Sequence, residues 1–179
     1  MKILIIILLE TLDNYINSNS NSVNKVKTPT NFLTTGDYIC KAIDVESAVS
    51  ERGSLVDFSP ETCAPELASI LRRGSVSAAR NRDFKVNVDE PLIATKALDI
   101  WALGISILHL YLGRAPIVDR ADINKSLAKL EQFEDGKEDF GLAEVSDKKL
   151  ARLLSSMLNK NPLFRPNIIA TQIQLSLPF

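Results

Sequence analysis

Apolar residues run almost unbroken from Ile100 to Leu112. Ile100, Leu103, Ile107, Leu110 and Tyr111 fall on one helical stripe, and Ile105, Leu108 and Leu112 on a second. A helix that is apolar on all sides belongs inside a domain, so the pattern predicts a buried helix over 97–112. It opens with Asp99, a carboxylate whose burial is costly unless it accepts hydrogen bonds. It also carries Gly104, about 1 kcal/mol less favourable than alanine inside a helix, which points to the close approach of another segment.

Around this helix the periodicity predicts shorter elements. Residues 3–17 read as a helix that gives way to the polar, low-complexity run from Asn17 to Ser22. Residues 31–33 and 38–43 read as strands flanking the turn Thr34-Thr35-Gly36-Asp37. The stretch 44–60 has no regular period, and a helix is expected from Pro60 or Glu61 to Leu71. The basic, polar stretch 72–92 reads as a loop. Amphipathic helices follow at 120–133, 147–159 and 166–175, with Asn161-Pro162 as a stop and turn between the last two. The expected fold class is mainly α with one small β-hairpin and no internal repeat.

Composition narrows the function classes. The chain has 179 residues, 45% of them apolar and 24% charged, enough for one domain with a true core. A formal net charge of -1 gives no basic footprint for nucleic acid. Cys40 and Cys63 lack metal-ligand spacing, and His109 lies inside the apolar helix, so a zinc site is not expected. Both cysteines read as small buried apolar residues in a reducing compartment, and His109 as a packed residue rather than a ligand. The N-terminal run from Met1 to Leu9, one lysine and then aliphatic residues, admits two readings. It is either a buried helix or a secretory signal, and it is too short to span a bilayer. No small-residue cleavage pattern follows and Glu10 to Tyr15 continues a helical pattern, which favours the buried helix and an intracellular, cytoplasmic protein.

Three motifs occur in order. Ala64-Pro65-Glu66 is the tripeptide that closes a protein-kinase activation segment. Asp99-Ile100-Trp101-Ala102-Leu103-Gly104, followed by Leu112-Gly113-Arg114-Ala115-Pro116, resembles the central helix of the kinase C-terminal lobe. The run from Leu154 through Asn161-Pro162 to Arg165-Pro166 is similar to the last block of that lobe. Upstream, Asn24-Lys25-Val26-Lys27-Thr28-Pro29-Thr30-Asn31 fits the frame of the catalytic loop, and Asp44 the position of the metal-binding Asp. The helix preceding the catalytic loop is matched by Leu8 to Ile16. The resemblance implies a partial protein kinase domain over 1–179: a C-terminal lobe with a catalytic-loop remnant at 24–33, an activation segment at 44–66, an insertion at 72–92 and no N-terminal lobe. It further implies a bidentate Glu66–Arg165 ion pair, an Asp99 that accepts backbone N–H groups of the catalytic loop, and structural roles for Trp101 and Gly104.

The same resemblance bears on chemistry. Phosphoryl transfer rests on positioning and charge neutralisation. Val26 stands where the family has its proton-accepting Asp, Lys25 where it has Arg, and Thr28 where it has Lys. Asn31 and Asp44 remain as candidate ligands of Mg-ATP, a cofactor the family uses and this chain alone is not expected to hold. Val45 and Glu46 replace the Phe-Gly that should follow Asp44, and Glu46 is expected to face solvent. Glycine-rich-loop and strand-lysine motifs are not found ahead of the catalytic loop. The expectation is therefore a pseudokinase-like domain with no intact catalytic residue, acting by binding other proteins. Two alternatives stay open: a piece of an active ATP-dependent protein kinase, and a truncated product without a role of its own. Arg72, Arg73, Arg80, Arg82, Lys85, Ser75 and Ser77 within 72–92 offer an acidic-partner or phosphate-accepting segment, though a solvated insertion is the expected reading. A protein partner is expected, and neither nucleic acid nor membrane; oligomeric state is left open.

Overall fold

The computed structural model describes residues 22–23, 32–34, 40–42, 49–55, 60–73, 75–78, 84–87, 92–117, 123–133 and 140–176. The fold is mainly helical. Helix α1 spans Pro65–Arg73, α2 Lys96–Leu112, α3 Ile123–Glu131, α4 Lys148–Met157 and α5 Ile168–Ser176. Short strands complete it: β1 Ser22–Val23, β2 Phe32–Thr34, β3 Cys40–Ala42, β4 Val49–Ser50, β5 Ser75–Ala78 and β6 Phe84–Asn87. They form three antiparallel two-stranded ladders, β1 with β4, β2 with β3 and β5 with β6.

Helix α2 is the axis of the core. Its ten consecutive residues from Asp99 to Leu108 are all buried, as a helix apolar on every side demands. The last turn emerges, so Leu110 is 39% exposed instead of continuing the buried stripe. The helix stops at Gly113, whose φ of 69° is left-handed and lets its N–H bond back to the His109 carbonyl. Helix α4 packs on α2 through Leu150, Leu153, Leu154 and Met157, spaced to share one face. Asp147 starts α4 by accepting the N–H groups of Lys149 and Leu150 at 3.0 and 3.1 Å. Helix α1 buries Leu67, Ala68 and Leu71 and packs against α3, which contributes Leu127 and Leu130.

Three expectations are corrected. The helix expected from Pro60 or Glu61 begins at Pro65; Pro60–Thr62 is a separate 3-10 turn. Proline suits the first helical position because its missing N–H is unneeded there, and the Ala64 carbonyl accepts from Leu67 and Ala68. The stretch 72–92 is not a plain loop, since it holds the tail of α1 and the β5–β6 ladder, with Val76 opposite Val86. Its alternation covers only four residues per strand, so the basic, polar composition obscured it. The stretch 44–60 contains β4 and a backbone tie to the approach of α2: Arg52 N–H to Ala94 O, Ala94 N–H to Gly53 O and Leu55 N–H to Leu92 O, at 2.7–2.9 Å. The expected helix at 3–17 lies outside the described residues. The expected hairpin is the β2–β3 ladder, with Leu33 opposite Lys41.

Candidate functional site

The densest polar arrangement among the described residues surrounds Arg165. Its guanidinium is carried by the turn Pro162–Phe164, which follows α4 and precedes α5. The side chain is fully buried, with 0% exposure, against 29% for the side chain of Glu66 at the start of α1. Arg165 Nη1 donates to Glu66 Oε1 at 2.6 Å and Nη2 to Oε2 at 2.7 Å, a bidentate fork between residues 99 apart in sequence. The remaining N–H groups go to backbone carbonyls: Nη1 to Ala97 at 3.0 Å, Nη2 to Lys160 at 3.3 Å and Nε to Asn159 at 2.8 Å. Every donor of the guanidinium is therefore used, the condition under which a buried charge is tolerated.

Trp101 forms the floor of this arrangement. The Arg165 guanidinium carbon lies 4.9 Å from its ring centroid, within cation–π range. Phe133 and Phe140 pack edge-on against the same indole, with centroids at 6.0 and 6.3 Å. Trp101 is fully buried, and among the described residues its Nε1 has no hydrogen-bond acceptor. Cys63 lies beside the pair, and burial, followed by the Glu66 charge, pushes its thiol far above the usual range. It is an inert core residue.

Gly104 meets the C-terminal end of α4. A Cβ there would stand 3.0 Å from Leu158 Cδ2 and 3.1 Å from Met157 Cβ, the close approach that its place in an apolar helix implies. Asp99 is 9% exposed and is engaged in a polar or electrostatic interaction. His109 is partly buried near the end of α2. Arg72 pairs with Glu131 on α3.

Val26, Asn31 and Asp44, with Lys25, Thr28 and Glu46, lie outside the described residues, as do Arg80 and Arg82. Ser75, Ser77 and Lys85 fall on the β5–β6 ladder. Among the described residues no group of three or more His, Cys, Asp or Glu side chains could hold a metal ion. No helix among them is long and apolar enough to cross a membrane. Sequence reasoning missed the backbone acceptors of Ala97, Asn159 and Lys160, because carbonyl positions leave no residue-type signal. It also missed Phe133 and Phe140, whose spacing from Trp101 follows no helical period.

No protein-family model matches the chain, and no curated protein matches it either.

Proposed function

We propose that the chain is a protein-kinase-like C-terminal lobe that has lost phosphoryl-transfer chemistry and works by binding other proteins. The observation that carries this reading is the five-donor guanidinium of Arg165. A single side chain ties Glu66 of the Ala-Pro-Glu block to Ala97, two residues before Asp99, and to the Asn159–Lys160 backbone of the third block. The three motifs that carry the resemblance thus meet at one buried charge. Independent proteins with a chance Ala-Pro-Glu have no reason to bury a fully satisfied arginine against it.

The inactive half of the reading rests on Val26. A branched aliphatic side chain in the position of the family's Asp can neither accept the hydroxyl proton of a substrate nor orient it. What remains is a helical scaffold whose surfaces are available for recognition. The test is a thermal-shift titration with Mg-ATP. No stabilisation is expected, whereas a bound ligand at a hundredfold excess over its Kd adds about 2.7 kcal/mol. A saturable, magnesium-dependent rise in the unfolding midpoint would move the chain to the active-kinase reading.

A further inference from the structure

We propose that residues 140–146 form a strap over Trp101 that opens as a local unit while the helices beneath it stay folded. The strap leads into α4 and lies against the end of α2. At its start Phe140 is buried, with its ring centroid 4.6 Å from that of Phe133 and 6.3 Å from that of Trp101. Gly141 sits directly on α2, where a Cβ would stand 2.8 Å from Leu112 Cδ1. The 3-10 turn Leu142–Glu144 follows, and Val145 is the second buried apolar side chain of the strap.

The closed strap carries two unfavourable features. Phe140 has a φ of 48°, a left-handed backbone that a residue with a Cβ holds only where its surroundings impose it. Gly141 continues at a φ of 91°, so two successive left-handed residues turn the chain into the aromatic cluster. The second feature is the indole of Trp101, fully buried with no acceptor for Nε1 among the described residues. Lifting the strap frees Phe140 to relax, and water that reaches the indole supplies the acceptor.

The ties that hold the strap down lie at the surface. Glu144 pairs with Arg114, but these side chains are 56% and 52% exposed, and such an ion pair contributes little. The Tyr111 hydroxyl accepts the Ser146 N–H at 3.0 Å and lies 2.7 Å from Ser146 Oγ, again exposed. Backbone bonding in the strap is local, from Glu144 N–H to Gly141 O at 3.1 Å and from Val145 N–H to Leu142 O at 3.0 Å. Opening therefore leaves the helical hydrogen bonds of α2 and α4 in place. Segments held in this way open at free energies below that of global unfolding. Trp101 is also the ring beneath the Arg165 guanidinium, so the strap and the Glu66–Arg165 pair share one side chain. None of this depends on the kinase-like reading.

Native-state hydrogen exchange by NMR on the full chain tests the proposal. Trp101 is the single tryptophan of the sequence, so its indole N–H gives one signal. In the wild type the Glu144, Val145 and Ser146 amides and the indole N–H are expected to share one level of protection. That level should lie about a hundredfold or more below the protection of the amides of 100–108. The Tyr111→Phe/Glu144→Gln variant loosens both surface ties. It should lower protection of the strap amides and of the indole together, by about tenfold, and leave 100–108 unchanged. Three results would overturn the proposal. One is wild-type strap amides as protected as those of 100–108, which would make the strap part of the global unit. Another is an indole N–H that exchanges with 100–108 and not with the strap, so that opening does not uncover Trp101. The last is a variant in which all of these sites lose protection equally, or in which none does.

Discussion

Removing Glu66 or Arg165 should be among the most damaging single changes in the molecule, and the two losses should differ in kind. Glu66→Gln leaves a guanidinium whose side chain is completely buried, with its charge uncompensated and three carbonyl acceptors retained. Breaking one side of a buried pair typically costs about 3–5 kcal/mol. Glutamine still accepts one hydrogen bond, so a loss of about 3 kcal/mol is expected for this variant. Arg165→Ala strands a carboxylate that is 29% exposed and can recover water. It also removes the donors of Ala97, Asn159 and Lys160 and the contact on Trp101, and leaves a cavity. About 4 kcal/mol is expected, a fall in unfolding midpoint on the order of 10 °C for a domain of this size. Arg165→Lys should not rescue, because one ammonium cannot reproduce a bidentate fork and a separate Nε bond. Urea unfolding of the two single variants and the double variant measures the coupling. The double loss should fall short of the sum by about 1–3 kcal/mol. Additivity within about 0.5 kcal/mol would refute the claim that the pair acts as one unit.

Other substitutions probe separate contacts. Gly104→Ala should gain about 1 kcal/mol of helix propensity and lose more from overlap with Met157 and Leu158, giving net destabilisation by urea melts. Asp147→Ala should cost about 1 kcal/mol by removing the acceptor for two α4 N–H groups; circular dichroism melts will show whether it does. Cys63 should resist thiol reagents in the folded protein and react on denaturation, so rapid native labelling would contradict its burial. Its thiol pKa is raised by folding, so its contribution to stability is full below the ordinary thiol range. That contribution then declines as the pH rises beyond this range, by up to about 1.4 kcal/mol per pH unit. Cys63→Ala should flatten that alkaline slope.

The elements legible in the sequence are those whose signal is repeated along the chain. Helix α2 declares itself through many apolar positions on every side, and α4 through a four-residue buried face that begins after a capping aspartate. The β5–β6 ladder fails that test because each strand offers only four residues, with Val76 and Val86 set among polar and basic neighbours. The start of α1 is not legible in the sequence because Pro60 and Pro65 both suit a first helical turn, and only the carbonyl of Ala64 distinguishes them. At the site, Glu66 and Arg165 were marked by motif resemblance, since no periodicity links residues 99 apart. The carbonyls that complete the guanidinium's bonding belong to the backbone path and have no counterpart in residue type.

The claim that a kinase-like scaffold persists here is tested most directly by amide hydrogen exchange at Lys25, Val26 and Lys27 in the wild type and in Asp99→Asn. If Asp99 holds the 24–31 stretch, as the proposed kinase-like reading requires, these amides should be protected. The substitution should lower their protection about tenfold or more while the amides of 100–108 stay protected. Unprotected amides at 25–27 in the wild type, or protection indifferent to Asp99→Asn, would contradict it.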